Sequence, residues 1–436
     1  MDGRPSLLFL SQRLPFPPNK GEKIISFNIV RHLGQRFDIH VGSFIDKRED
    51  LAEIERFRPY CASLHVTRID QPWAWVPAGF RWLGGMPLSF ARFRSAGIKA
   101  YVRKVATQCH PIAIITCSSN ISDYALTPTL SPTLRVLHFA DVDSEKFVAY
   151  ARQTQGWKRW LFTMEARRVR SAEERLAAAA DIVGFVSDEE AALFRKVVSV
   201  RDTKIVTIGN GVDATSFDPS KQWLQPAWGA GPAFVFTGAM DYQPNIEAVL
   251  WFSDIVFPLL RAAHRQVQFV IVGSSPTPAV KALAGRPGIL VTGRVPNVQP
   301  YLAYATAAVV PLQIARGIQN KVLEALAMGR PTIVTSHALM GIGVRDSTPV
   351  IVADSVDAWV SACLGILNNP LTVAPLAARA RPFVIDHFDW ATQLRPLDAL
   401  LTSLCSKKNE ISGDRLMELT LLNRTPGGLG QDVLRE

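Results

Sequence analysis

Thirteen short runs of nearly consecutive apolar residues punctuate the chain, with longer stretches between them. The first half holds SLLFLSQ (6–12), DIHVGSF (38–44), SLHVTRI (63–69), IAIITCSS (112–119), LRVLHFA (134–140), DIVGFVS (181–187) and KIVTIGN (204–210). The second half holds AFVFTGAM (233–240), QVQFVIVGS (266–274), GILVTGRV (288–295), AAVVPL (307–312), PTIVTS (331–336) and VIVADS (350–355). These runs are rich in β-branched residues and scarcely alternate with polar ones. That pattern predicts strands covered on both faces, as in a parallel sheet. The intervening stretches have helical spacing, which gives the βαβ rhythm of a doubly wound α/β fold.

The rhythm breaks once, in DATSFDPSKQWLQPAWGAGP (213–232), where neither period persists and Pro, Gly, Trp and Ser dominate. The break predicts an N-terminal Rossmann-like domain over 1–213, a linker over 214–232 and a second Rossmann-like domain over 233–385. Residues 386–405 are read as a final helix and 406–436 as a loosely held tail. Ligands of such sheets bind beyond the carboxyl ends of the strands, so the expected site is a central cleft between two facing sheets.

Composition narrows the class. In 436 residues, 48% are apolar and 20% charged, enough to build sizeable cores and too apolar for a disordered chain. The five cysteines, Cys61, Cys109, Cys117, Cys363 and Cys405, form no C-x-x-C pair, which argues against a disulfide framework or a zinc site. Met1–Leu10 reads as a first strand rather than a signal peptide, and no run approaches the ~20 apolar residues of a membrane span. A cytoplasmic address is the expectation. The net charge of +10 favours phosphate-bearing partners. Without zinc-finger spacing or an RNA-recognition signature, nucleic acid is set aside.

The most informative segment is ARGIQNKVLEALAMGRP (315–331). Gly317 permits a tight turn, a helix is expected from about Asn320, and Gly329 with Pro331 ends it. Asn320, Lys321 and Glu324 lie three and four residues apart, so one helical face can present all three. A helix N-terminus with a lysine suits phosphate oxygens, and a carboxylate one turn deeper can accept from two ribose hydroxyls. The plain alternative is a surface Lys–Glu pair of little consequence.

This segment resembles the donor-binding motif of glycosyltransferase family 4, whose usual form is E-x7-E. Glu324 matches the second glutamate, to which the resemblance assigns the nucleotide ribose. The first glutamate falls at Arg316, a departure that leaves this arginine to contact phosphate. NGVDATSFDP (210–219) resembles the family's inter-domain stretch, and VIDHFDWATQL (384–394) its last helix, which crosses back onto the N-terminal domain. Four segments, the last of them containing the one above, are similar to the sugar transferases associated with PEP-CTERM/exosortase clusters of bacterial exopolysaccharide systems. They are RLPFPPNKGEKIISFNIVRHL (13–33), FADVDSEKFVAYA (139–151), FTGAMDYQPNIEAVLWF (236–252) and IARGIQNKVLEALAMGRP (314–331).

The resemblance implies a GT-B fold, a nucleotide-sugar donor, retaining transfer to a glycan or lipid-linked acceptor, and no metal or other cofactor. A GT-B nucleotide-sugar epimerase and an inactive nucleotide- or glycan-binding scaffold stand as the other readings. Further candidates follow. Lys20 and Gly21 lie in the loop after the first strand, an anion site or an ordinary turn. Asp141 is read as a cleft-facing carboxylate that orients the acceptor, and Asp143 as the N-cap of the next helix. His138 is either catalytic or packed in the core. Gly238 lets the backbone approach the donor, and Lys321 would stabilise the leaving diphosphate, with Arg294 as a reserve cation or a solvated side chain. Aromatic and basic residues interleave over 73–94 and 156–162. They suit either the core or an anionic membrane surface, and the latter would seat the protein peripherally on the inner face of the plasma membrane.

Overall fold

The computed structural model describes residues 4–18, 21–69, 75–130, 133–198, 204–229, 231–315, 318–340, 342 and 348–403. Each of the thirteen apolar runs forms a strand, and every pairing is parallel. Seven build the first sheet: β1 (Ser6–Ser11), β2 (Asp38–Ile45), β3 (Ser63–Arg68), β4 (Ala113–Cys117), β5 (Leu134–Ala140), β6 (Ile182–Phe185) and β7 (Lys204–Thr207). Their order is β3-β2-β1-β4-β5-β6-β7. Six build the second: β8 (Ala233–Thr237), β9 (Gln268–Val272), β10 (Ile289–Gly293), β11 (Ala307–Val310), β12 (Thr332–Val334) and β13 (Ile351–Val352), ordered β10-β9-β8-β11-β12-β13. Both sheets lie in one compact unit that ends at Leu394.

Continuous hydrophobicity has the expected cause. Leu7 through Leu10 of β1 and Phe234 through Phe236 of β8 are all buried, whichever face they point to. Helices cover both sides, and Trp359, Phe252 and Phe269 pack together beneath the second sheet. In each sheet the strand order reverses beside the first strand, between β1 and β4 and between β8 and β11. A crevice opens at such a point, beyond the carboxyl ends of the strands.

The helix Asp143–Gln153 corrects one expectation. Asp143 is its first residue and not its N-cap; that place falls to Val142, which offers no side-chain cap. Distant carboxylates serve instead: Glu190 accepts from the Val142 N–H at 2.8 Å and Glu173 from the Ser144 N–H at 3.2 Å. Among the described residues no single helix is long and apolar enough to cross a membrane. The bent pair Val356–Asn368 and Pro370–Phe388 passes by length and composition only together, and its Trp359, Cys363 and Val384 are core residues.

Candidate functional site

Three glycines stand abreast at the carboxyl edge of the second sheet. The Gly238 N–H donates to Val272 O at 3.0 Å, and the Gly273 N–H to Gly293 O at 3.2 Å. The fit between the first two is close: a Cβ on Gly273 would lie 1.6 Å from Gly238 O. A Cβ on Gly238 would likewise lie 2.7 Å from Asn245 Nδ2, so both glycines are demanded by packing within the edge, whereas at Gly293, with φ 68°, a Cβ would meet nothing within 4 Å. Arg294 follows Gly293 and is exposed, with no ion pair among the described residues.

The helix Asn320–Ala327 begins where the sequence placed it and buries Val322, Leu323 and Leu326. Gly329, at φ 62°, terminates it in the left-handed region. Its opposite face carries the chemistry. Lys321 Nζ donates to Asn245 Oδ1 at 3.0 Å and to Gln319 Oε1 at 3.5 Å, and lies 5.4 Å from the centre of the Phe236 ring. Asn245 in turn donates to the carbonyl of Ala239 at 2.9 Å, so Lys321, Asn245 and the Gly238–Ala239 turn form one chain of contacts. Asn320 Oδ1 is buried without a hydrogen-bond partner among the described residues.

Glu324 lies one turn further on. Its carboxylate has no hydrogen-bond or salt-bridge partner among the described residues, although Lys321 is close enough to act on it through space. Burial pushes Glu324 up to about 7, against the pull of Lys321. Burial pulls Lys321 down to about 8, against the pull of Glu324. Desolvation outweighs attraction on both sides because the ammonium is engaged by amide oxygens and not by the carboxylate. The result is a charged pair held apart, each member able to take a ligand group. Arg316 and Gly317 lie outside the described residues, as does Lys20; Gly21 opens the helix Gly21–Leu33.

The first sheet presents a second polar cluster at the end of β5. Asp141 and Asp143 both bind Lys146 Nζ, at 2.8 and 2.9 Å, and Asp143 also accepts from Ser119 Oγ at 2.5 Å. Burial alone would lower Lys146, but Asp143 and Asp141 outweigh it and raise the ammonium above its ordinary range. Buried Glu173 is pushed up to about 8 by desolvation, with Asp143 adding to the effect. Ser118 and Ala140, at the ends of β4 and β5, hold φ values of 110° and 70°. Non-glycine residues in that region are costly and gather at functional edges. No group of three or more His, Cys, Asp and Glu side chains among the described residues could hold a metal ion.

Of the two readings of His138, packing in the core describes its place in the fold. It is 1% exposed within β5, and its Nε2 donates to the Ile208 carbonyl at 3.0 Å, which leaves Nδ1 enclosed and unprotonated. Burial lowers its pKa, so it packs as a neutral core imidazole. The aromatic-basic stretches divide. Phe93 is core, whereas Phe80, Trp157 and Trp160 are 73%, 70% and 62% exposed. Trp73 lies outside the described residues.

Sequence reasoning did not single out Asn245, Gly273 or the Lys146–Glu173 cluster. Asn245 stands at a helix start within FTGAMDYQPNIEAVLWF (236–252), seven residues after Gly238. That spacing was the available signal.

Residues 231–369 match the family model described as glycosyl transferases group 1. No curated protein matches the chain in sequence. Among solved structures, Alr3699/HepE of Anabaena in complex with UDP is 15% identical with a TM-score of 0.62, covering 91% of this chain and 100% of its own. Sucrose-phosphate synthase of Thermosynechococcus elongatus is 16% identical with a TM-score of 0.66, covering 93% and 100%. WaaG, a glycosyltransferase involved in lipopolysaccharide biosynthesis, is 14% identical with a TM-score of 0.59, covering 90% and 99%. The fold is GT-B. Within it, the segment over residues 231–369 is similar to the glycosyl transferases group 1 family.

Proposed function

We propose that the protein transfers a sugar, with retention, from a nucleotide-sugar to a glycan or lipid-linked acceptor in bacterial exopolysaccharide assembly, without a metal. The observation that carries the donor side is the unpartnered carboxylate of Glu324 beside Lys321 at the edge of the second sheet. In this reading Glu324 accepts from the ribose hydroxyls, and the diphosphate meets Lys321 and the N–H groups of the helix start, beside the turn after Gly238. A UDP complex of one fold neighbour supports the choice of ligand class.

The bond from the anomeric carbon to the diphosphate oxygen breaks while the acceptor oxygen bonds to the same face of that carbon. The acceptor proton passes to the departing diphosphate, whose growing charge Lys321 stabilises. Asp141, at the carboxyl edge of the first sheet, orients the acceptor hydroxyl. The pathway rests on the sequence resemblance. A seat on the inner face of the membrane rests on the exposed Phe80, Trp157 and Trp160 among basic residues.

The test is thermal stabilisation by a panel of nucleotide-sugars, followed by product analysis with candidate acceptors. A ligand that binds the folded state raises the melting temperature by mass action. Transfer to an acceptor supports the reading. Isomerisation of the donor without acceptor would establish an epimerase, and no donor binding at all would leave only a scaffold.

A further inference from the structure

The helix Asp143–Gln153 and the 24-residue helix Gly156–Ala179 form a hairpin whose turn includes Gly156 at φ 62°. A cavity of about 320 Å³ lies along the hairpin. Its lining follows helical spacing: Val148, Ala151 and Arg152 from the first helix, and Arg159, Thr163, Ala166, Arg167 and Arg170 from the second. Four guanidinium groups thus share one groove with a small apolar floor. Arg170 is paired with Glu145. Arg152, Arg159 and Arg167 have no ion-pair or side-chain hydrogen-bond partner among the described residues.

Arg152, Arg159 and Arg167 are exposed, so water and salt screen their mutual repulsion, and an anion entering the groove would meet three guanidinium groups that no carboxylate already holds. Planar forks of this kind match phosphate oxygens two at a time. A second feature adjoins it. Trp157 and Trp160 are exposed at the mouth of the same hairpin, where an aromatic ring would enter the interface of a bilayer. The hairpin also touches the helix Trp75–Leu83: Arg168 donates to Trp82 O at 2.7 Å and lies over the Trp82 ring at 5.1 Å, while Phe80 and Leu83 point to solvent. At 3.6 residues per turn, Arg168 points to the opposite flank of its helix from Arg159, Thr163 and Arg170, so the Trp82 contact braces the hairpin from the far side, and Trp157 and Trp160, in the helix's first turns, are the apolar side chains at the turn end of the groove.

The groove is also placed usefully. It opens along the helix that starts at Asp143, beside Asp141. At a rise of 1.5 Å per residue, Val148 to Arg152 lie roughly 7–14 Å along that axis from Asp143.

We propose that this groove seats the phosphate or diphosphate of a lipid-linked acceptor presented from a bilayer, with Trp157 and Trp160 against the lipid. The inference deepens the acceptor half of the proposed function and rests on it. The groove fixes the lipid phosphate, and the sugar that carries the accepting hydroxyl extends toward Asp141.

The experiment uses the full chain and phosphatidylcholine vesicles doped with a polyprenyl diphosphate, with phosphatidylglycerol-doped vesicles and free inorganic pyrophosphate as comparisons. The wild type is expected to co-float with the diphosphate vesicles in preference to phosphatidylglycerol vesicles of equal charge. Arg159→Gln with Arg167→Gln should weaken that binding about thirtyfold, from roughly fivefold per arginine beside an anionic surface. Both side chains are exposed, so the fold should stand, and nucleotide-sugar stabilisation should be unchanged. Trp157→Ala with Trp160→Ala should weaken vesicle binding and leave pyrophosphate binding alone. Undiminished binding by the arginine variant would overturn the proposal. So would equal affinity for the two vesicle types, or pyrophosphate binding as tight as binding to the lipid. Loss of donor stabilisation in the wild type would instead count against the transferase reading and not against the groove.

Discussion

Lys321 Nζ lies 3.0 Å from Asn245 Oδ1, a contact that ties the helix after β11 to the helix after β8. It joins the two elements on either side of the point where the strand order reverses. The lysine is therefore held in place before any ligand arrives, and its charge is fixed by an amide rather than cancelled by a carboxylate. That is the arrangement needed to stabilise a developing anion.

Lys321→Met should separate activity from stability. The thioether chain fills similar space but leaves Asn245 Oδ1 without its donor and Glu324 without the nearby ammonium, so the fold should hold with a small drop in melting temperature. Turnover should fall by about 10²–10³, the scale of losing one preorganised partner of a developing oxyanion. Thermal melts and steady-state kinetics on the same preparation decide this; an active variant would remove Lys321 from the mechanism.

Glu324→Gln should weaken nucleotide binding by about 1–3 kcal/mol, the cost of losing charge-assisted hydrogen bonds. The pH dependence has a definite sign. Glu324 is pushed up to about 7, so wild-type affinity should rise as pH increases through neutrality and the carboxylate ionises. Lys321, pulled down to about 8, loses its charge above that, and affinity should fall again. Calorimetry across this range should give a bell in the wild type and only the alkaline limb in the variant.

Glu173→Gln tests the buried cluster near β5. The carboxyl is raised from an ordinary 4.5 to about 8, so the folded state keeps its proton where the unfolded state has lost it. Its contribution is then fully present below about pH 4.5 and is lost as pH rises toward 8. The variant lacks this slope. Urea midpoints should show it gaining on the wild type as pH rises, by a few kcal/mol at most, since each tenfold difference in proton affinity between the folded and unfolded chains is worth about 1.4 kcal/mol. Parallel pH profiles for the two proteins would contradict the assignment.

Chelation should leave turnover intact. Asp141 and Asp143 are already bound to the Lys146 ammonium, which occupies the place a divalent ion would need. Activity lost with EDTA and restored by Mn²⁺ would show that Lys146 gives way to a metal.

The strands were legible because burial on both faces leaves a continuous apolar run, a signal that survives without any neighbour. The helix from Asn320 was legible for the same local reason, with Gly329 marking its end. What could not be read was anything built from residues distant in sequence. Asn245 gains meaning only from Lys321, 76 positions away. The N-terminus of the helix Asp143–Gln153 is capped by Glu173 and Glu190, so Asp143, an aspartate at a helix start, suggested a cap that the chain does not use. His138 could not be placed by pattern, since a strand that is apolar on both sides hides an imidazole as readily as it presents one.

The contact between Gly273 and Gly238 also bears on how donor choice can be altered. With the space for a Cβ at 273 already taken by the Gly238 carbonyl, even alanine there would push apart the turns after β8 and β9. A saturation library across this edge should therefore return glycine alone at 273. Ala239 and Ser274, on either side of that contact, are the positions where an engineer can introduce diversity and keep the framework.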